Sequence, residues 1–474
     1  MSRDEPSVPC PLHAAAHCTP DAAAIISSQG AITYDELDGR VSAAAFRLRE
    51  LEPGSRVALY LPRDERYVVL MLAAIRAGLV ACPISDRLPP KGVAQLIEKA
   101  ACAAMISDDD DILRTAGNGL HGLKPERLLE GDRRREKPGH IPLNRPATIV
   151  FTSGSTGTPK GALHTFGNHY FNALGSNANI ALSQEDRWLH SLPLYHVGGI
   201  SILFRCLLAG ATTALPEHGT PIGESIARLG ATHVSLVSTQ LLRLLREDTE
   251  LAGLKAVLMG GGPVSASLVD EALLRGLPIH TSYGLTEMAS QVTTTPPGAS
   301  LEGLRTAGRV LPEREVSISQ EGEILVRGAT LFAGYVEGKT LELPLDTDGW
   351  FHTGDLGAWD EKGYLSVLGR QDNLFVSGGE NIQPEEIEEV LSALPGVESA
   401  VVVPVDDPEF GQRPVAFVKT EGYEPGDLTP KLREFLPGFK VPTTFHPWPE
   451  NAQRGMKPDR NALRERARQL HDQR

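Results

Sequence analysis

Short β-branched runs alternate along this chain with longer segments of helical spacing, and that alternation restricts the fold more than any other feature. Residues 56–60 and 148–151 are of the first kind, and residues 192–208, apolar at three-to-four spacing, are of the second. Strands separated by helix-length segments specify βαβ units and largely parallel sheets, because a parallel neighbour needs a crossover. At 474 residues the chain exceeds what one hydrophobic core serves, so two or three packed units are expected. Two stretches punctuate it. Residues 123–145 are polar and charged and read as a surface connection before a new strand. Residues 369–373 follow a hairpin that turns at 361–364. Beyond them come a strand (374–376), a Gly-Gly turn, an acidic helix (384–394) and a strand (399–405). That helix opens on Pro384, with Glu385 and Glu386 at the positive end of its dipole. The expected division is 1–371, a large N-terminal body, and 372–474, a small α+β C-terminal domain.

Charge and cysteine usage exclude several classes. The formal net charge is -14. The nearest basic run, Asp132-Arg133-Arg134-Arg135-Glu136-Lys137, is short and sits among acids and turn formers. No nucleic-acid partner is expected, and any anionic substrate must be held by local cations and backbone amides against an unfavourable mean field. Cys10, Cys18, Cys82, Cys102 and Cys206 are scattered, odd in number and without a Cys-x-x-Cys pair. That argues against a disulfide framework or structural zinc and for a reducing, cytoplasmic setting. Residues 1–6 have no apolar run, so no secretory signal is expected. The longest apolar stretch, residues 67–84, is broken by Arg76 and Gly78 and reads as a buried helix feeding a buried strand, not a membrane span.

The sharpest chemical signal is Thr152-Ser153-Gly154-Ser155-Thr156-Gly157-Thr158-Pro159-Lys160-Gly161, directly after a buried strand. Small residues let successive backbone N–H groups converge on phosphate oxygens, five hydroxyls add neutral donors, and Lys160 adds a cation. A P-loop would need Gly before the Lys and Ser or Thr after it, so this is a different phosphate loop. Gly260-Gly261-Gly262 follows a second apolar run and permits close approach of a flat ring, though on its own a plain strand-to-helix turn is the better account. Thr286 and Glu287 follow a third. A carboxylate close to a triphosphate needs a cation between them, which makes Glu287 a natural Mg²⁺ ligand. Thr286 capping a helix with Glu287 in its first turn is the competing explanation. Asp355 lies in a turn-rich aromatic stretch, where a carboxylate suits ribose hydroxyls and an Asx-turn is the plainer account.

Taken in order, these segments resemble the adenylate-forming superfamily, which contains acyl-CoA ligases, luciferases and peptide-synthetase adenylation domains. The resemblance runs from Thr152–Gly161 through Tyr283-Gly284-Leu285-Thr286-Glu287, Gly349-Trp350-Phe351-His352-Thr353-Gly354-Asp355 and Gly369-Arg370-Gln371-Asp372 to Ser377-Gly378-Gly379-Glu380-Asn381, nearly the whole chain. It implies an α/β fold, a large N-terminal body of mixed sheets with flanking helices plus a small mobile α+β C-terminal domain. It also implies ATP, CoA and Mg²⁺ as cofactors. By that resemblance Thr152, Ser153, Gly154, Ser155, Thr156, Gly157, Thr158 and Lys160 hold the phosphates. Gly260, Gly261, Gly262 and Ser282 lie beside adenine, Tyr283 stacks on it, and Gly284 and Thr286 complete the ATP site. Glu287 holds the metal, and Asp355 and Arg370 hold the ribose. Lys457 bridges the substrate carboxylate and the α-phosphate; the family has Gly directly before this lysine, whereas Met456 stands here, and Arg454 is a second candidate. His196 gates between acyl pocket and pantetheine tunnel. Asp372 is the hinge about which Lys457 swings out and Ser377, Gly378, Gly379 and Glu380 swing to the CoA channel.

Within the superfamily, residues 191–214 and 281–291 resemble the 2-succinylbenzoate–CoA ligases of menaquinone synthesis. That resemblance implies adenylation of 2-succinylbenzoate followed by transfer to CoA. His196, Gly199 and Arg205 would line the acyl pocket, with Arg205 facing the second carboxylate. An arginine snorkelling from an apolar face is the alternative for Arg205. Other readings of the whole are another aryl or short-chain acyl-CoA ligase, a stand-alone adenylation enzyme loading a carrier protein, or a nucleotide-binding protein without catalysis. The expected partners are a small-molecule carboxylic acid, ATP and CoA, with no membrane span; a homodimer is compatible with the sequence.

Overall fold

The strand Arg56–Tyr60 runs into the helix Glu65–Arg76, which Asp64 caps by accepting the Tyr67 amide at 3.1 Å. The chain then returns as Val80–Pro83, parallel to the first strand. This is the βαβ unit expected of residues 56–84, and every residue from Tyr67 to Ile75 in its helix is buried. A computed structural model describes residues 6–115, 120–131, 139–152, 159–247, 249, 251–420, 427–449, 453–454 and 457–471.

Repetition of that unit builds two large sheets among the described residues. One runs Thr340–Glu342, Gly334–Glu337, Lys160–Thr165, Pro146–Thr152, Val80–Pro83, Arg56–Tyr60, Ala104–Ser107, His121–Leu123. The other runs Arg309–Val310, Ser290–Thr294, Ile279–Leu285, Ala256–Met259, His233–Leu236, Arg187–Leu189, Thr212–Ala214, Ala23–Ser27, Gly30–Thr33. Both are parallel at the centre and turn antiparallel at an edge, at Pro146–Thr152 with Lys160–Thr165 and at Ile279–Leu285 with Ser290–Thr294. In open α/β sheets ligands bind beyond the carboxyl ends of the parallel strands, where the connectivity changes. The segment expected to hold phosphate, after Thr152, and the turn after Leu285 leave the sheets at such points. A four-stranded antiparallel sheet, Arg314–Ile318, Glu323–Gly328, Phe351–Trp359, Leu365–Arg370, completes the body.

The largest buried cluster fills the space around four helices: Tyr34–Leu48, Glu65–Arg76, Phe166–Asn179 and Val197–Ala209. The last of these was expected over 192–208 and starts five residues later. Pro193 lies in the preceding turn, and His196 takes an extended conformation as N-cap. Its other end is tied down by Tyr34, a fully buried phenol that donates to Ala211 O at 2.7 Å and Cys206 O at 3.1 Å. Residues 123–145 are more than a connection, since they contain the helix Pro125–Leu129 and a strand, His140–Pro142, that pairs with Ser7–Pro9.

From Phe375 onward, strands pair only with one another among the described residues: Phe375–Ser377 with Glu380–Ile382, Val397–Asp407 with Gly411–Thr420 and Thr444–Pro447, and Gln453–Arg454 with Lys457–Pro458. Two apolar clusters of their own support them, around Ile387, Leu391 and Ala416 and around Val403, Phe417 and Leu463. Polar contacts join this part to the body. Arg246 Nη1 donates to Glu398 Oε1 at 2.9 Å and Gln383 Nε2 to Arg370 O at 3.2 Å. Lys419, then Arg246, hold the Glu398 carboxyl down at about 2.

Removing the Tyr34 hydroxyl leaves two buried carbonyls at the end of the Val197–Ala209 helix without that donor. Tyr34→Phe is expected to lower stability by about 1–3 kcal/mol, read from denaturant titration, with unchanged far-ultraviolet circular dichroism in buffer.

Candidate active site

The phosphate loop joins two antiparallel neighbours whose register sets Thr152 opposite Lys160. Those two residues mark its mouth, Thr152 half-buried and Lys160 exposed. The expected phosphate contacts of Ser153, Gly154, Ser155, Thr156, Gly157 and Thr158 fall outside the described residues. Lys160 Nζ stands 4.8 Å from the centre of the Tyr335 ring, a cation over an aromatic face. The Tyr335 hydroxyl donates to Glu287 Oε1 at 2.5 Å. Burial and the neighbouring Glu287 raise the phenol pKa, so Tyr335 keeps its proton and acts as a donor. Lys160, Tyr335 and Glu287 therefore form one line at the loop mouth. Among the described residues no group of three or more His, Cys, Asp or Glu could hold a metal alone. A single half-buried carboxylate beside a phosphate loop fits Mg²⁺, which takes one or two protein carboxylates and completes its shell with phosphate and water.

Glu287 sits in the short 3-10 turn Thr286–Met288. The capping explanation fails, because Leu285 occupies the cap position and no side chain caps the turn. His164 fixes the turn from below, its Nε2 donating to Thr286 O at 2.7 Å. Burial pushes His164 down to about 4, so it is neutral and a single tautomer makes that bond. The chain then twists through Ala289 (φ 55°) and Ser290 (φ 133°), conformations that L side chains seldom adopt. Gly284 permits the close crossing, since a Cβ there would stand 2.1 Å from Ser290 O.

The residues expected beside the nucleotide lie on adjacent strand ends. Gly260 and Gly261 end the strand Ala256–Met259, and Gly261 has φ 82°. Ser282 Oγ donates to Met259 O at 2.7 Å, and a Cβ on Gly260 would meet that hydroxyl at 3.1 Å. Gly262 is exposed. Tyr283 is buried and its hydroxyl donates to Asp355 Oδ2 at 2.6 Å. Arg370, directly across the hairpin, donates to Asp355 Oδ1 at 3.1 Å and Thr353 O at 2.8 Å. Each carboxylate oxygen retains acceptor capacity, so Asp355 is held in place and can still receive hydroxyls.

On the acid side, His196 is half-buried at the start of the Val197–Ala209 helix, its ring 4.8 Å from that of Tyr195. Gly199 is obligatory, because a Cβ there would lie 2.1 Å from Pro193 O. Val197, Ser201 and Arg205, four residues apart, share one helix face. Ser201 Oγ donates to Ala289 O at 3.1 Å and Arg205 Nη2 to Gln291 Oε1 at 2.6 Å. Arg205 is 1% exposed, which rules out the snorkelling alternative.

In the C-terminal part, Ser377 and Glu380 face each other across a two-residue turn, with Gly378 at φ 59° and Gly379 at φ 86°, the double left-handed turn that favours glycine. Asp372 is exposed in the short turn Gln371–Asn373, 3.4 Å from Arg370. Lys457 pairs with Arg454 in a small hairpin, so the two basic residues weighed for one role are cross-strand neighbours. The contacts of the Lys457 side chain fall outside the described residues. Sequence reasoning missed Tyr335, His164 and Arg314 and gave Gln291 no role. The one available signal was Gln291's place in the quoted 281–291 segment.

Residues 12–336 match the AMP-binding enzyme family and residues 386–452 the AMP-binding enzyme C-terminal domain. The 2-succinylbenzoate–CoA ligase of Bacillus licheniformis is 34% identical over 453 residues, 91% of this chain and 94% of that one. The ligase of the same name from Listeria innocua is 34% identical over 447 residues, 92% and 94% of the two chains. Among solved structures, o-succinylbenzoate CoA synthetase from Bacillus subtilis in complex with its acyl-adenylate intermediate superposes with TM-score 0.87 at 30% identity, covering 97% and 98% of the two chains. The same enzyme with ATP and magnesium ion gives 0.87 at 31% identity, covering 97% and 100%. The chain is thus a member of the AMP-binding enzyme family and groups there with the 2-succinylbenzoate–CoA ligases.

Proposed function

We propose that this protein is an ATP-dependent, AMP-forming acid–thiol ligase that converts 2-succinylbenzoate to its CoA thioester. The carboxylate, ionised at neutral pH, attacks the α-phosphorus of ATP, and pyrophosphate leaves with the broken P–O bond. The CoA thiolate then attacks the acyl carbonyl, and AMP leaves. The observation that carries the reading is the convergence of the phosphate-loop mouth, the Glu287 turn and the buried Arg205 on one short segment, residues 286–291. Glu287 would hold a magnesium ion, which would supply positive charge at the polyphosphate.

The site roles follow from chemistry. Lys160 supplies a cation at the phosphates, and Asp355 with Arg370 offers a pre-set acceptor for the ribose. Lys457 is the candidate for the charge that develops at the α-phosphate during attack. The two half-reactions make opposite demands, a lysine at the phosphate and then an open thiol channel. Rotation of residues 372–474 about Asp372 meets both, exchanging Lys457 for the 377–380 turn. The Arg246–Glu398 pair would be remade in that exchange. Every group named comes from one chain, so a homodimer is not needed to complete the site. The five cysteines are free, which fits a cytoplasmic setting, and no helix among the described residues is long and apolar enough to cross a membrane.

Purified protein with magnesium, CoA and a panel of carboxylic acids should release AMP and pyrophosphate fastest with 2-succinylbenzoate and accumulate its thioester. Comparable turnover of benzoate with none of 2-succinylbenzoate would reassign the acid. Thioester on a carrier protein but not on free CoA would reassign the acceptor. Lys457→Ala is expected to slow adenylation by about 100-fold or more, while thioester formation from supplied acyl-adenylate stays within about threefold of the parent. Equal loss of both halves would mean that the residue is structural.

A further inference from the structure

At the expected acid end of the site two buried arginines hydrogen-bond only to neutral acceptors among the described residues. Arg205 lies 5.0 Å from the Trp188 ring, donates through Nη2 to Gln291 Oε1, and has no partner at Nε. Arg314, 6% exposed, donates through Nε to Gln291 O at 2.7 Å, through Nη2 to Asn172 O at 3.1 Å and through Nη1 to Pro312 O at 2.5 Å. All these acceptors are neutral. No carboxylate among the described residues hydrogen-bonds or ion-pairs with either guanidinium. Burial pushes both down to about 9; at Arg314 the charge of Arg205 adds to the effect and the adjacent Glu313 opposes it without contact. Buried charge without a counter-charge is costly, so proteins rarely keep two such groups together unless a ligand completes them. Room has been made for them. Gly175 stands inside the Phe166–Asn179 helix, where glycine is unfavourable, and a Cβ there would lie 2.3 Å from Arg314 Nη1.

Gln291 is the joint of the cluster. Its carbonyl accepts from Arg314 and, at 3.2 Å, from Asn172 Nδ2. Its side-chain nitrogen donates to Thr294 Oγ1 at 2.6 Å, which turns the amide oxygen toward Arg205. A neutral oxygen therefore fixes the guanidinium without neutralising it. We infer that Gln291 is a positioning residue that sets specificity for diacids. It holds Arg205 beside Arg314 and leaves this end of the pocket short of one anion, which the non-reacting carboxylate of the acid supplies. The inference rests on the ligase reading and adds to it the residue that makes the second carboxylate a requirement.

Gln291→Glu keeps the shape and places a carboxylate on Arg205. Initial rates of AMP formation would be compared for 2-succinylbenzoate and for its monoamide that retains the reacting carboxylate. The expected result is a KM for the diacid raised about tenfold or more, with kcat and the monoamide KM within about threefold of the parent and a Tm at or above it. Gln291→Met, which removes the acceptor, should raise the diacid KM and leave that of the monoamide. If Gln291→Glu fails to fold, this second variant decides. Equal KM changes for both acids, or none for either, would overturn the inference. No turnover of 2-succinylbenzoate by the parent protein is a separate outcome, which overturns the substrate reading instead.

Discussion

The left-handed twist at Ala289 and Ser290 is the constraint on which the site rests. Two non-glycine residues hold conformations that cost on the order of 1–3 kcal/mol each. The surroundings enforce them: Ser201 binds Ala289 O, Asn172 binds Met288 O and Gln291 O, and Gly284 lets Ser290 cross at close range. The twist gives six residues two functional ends, with Glu287 directed to the phosphate loop and Gln291 to the buried arginines.

Net charge sets the second condition. A chain of net charge -14 must bind a polyphosphate and a carboxylate together. The cations proposed for that task stand on rigid elements: Lys160 on a sheet strand over Tyr335, Arg370 on a hairpin against Asp355, and Arg205 inside a helix. A cation held close to its anion acts more strongly than the mean field of distant surface acids, which solvent and salt screen, and most strongly where it is buried, as Arg205 is. The neutral histidines follow the same logic. His164 and His190 are pushed down to about 4 and about 3 by burial, so they contribute hydrogen bonds without charge.

Much of this was legible in the sequence because it is local. The 67–84 stretch became a buried helix and strand, the 361–364 turn closed its hairpin, and Pro384 opened its helix. Glycines at 199, 284 and 378 carried information because close approach or positive φ excludes other residues there. What escaped was non-local. Tyr335 reaches Glu287 across 48 positions, and Arg314 reaches Asn172 across 142. Neither carries a periodicity or a motif, and each acquires meaning only when sheets bring it to its partner. The start of the 197–209 helix was misjudged for a simpler reason, since apolar spacing continues back through residues 192–196, which form a turn ending in the extended N-cap His196.

Direct attack of a carboxylate on the α-phosphorus is the step that the proposed roles of these positions serve. It can be tested by following oxygen. With 2-succinylbenzoate labelled with ¹⁸O in both carboxylates, one labelled oxygen should appear in the AMP formed during thioester synthesis and none in pyrophosphate. Label in pyrophosphate or inorganic phosphate, or unlabelled AMP, would contradict the account.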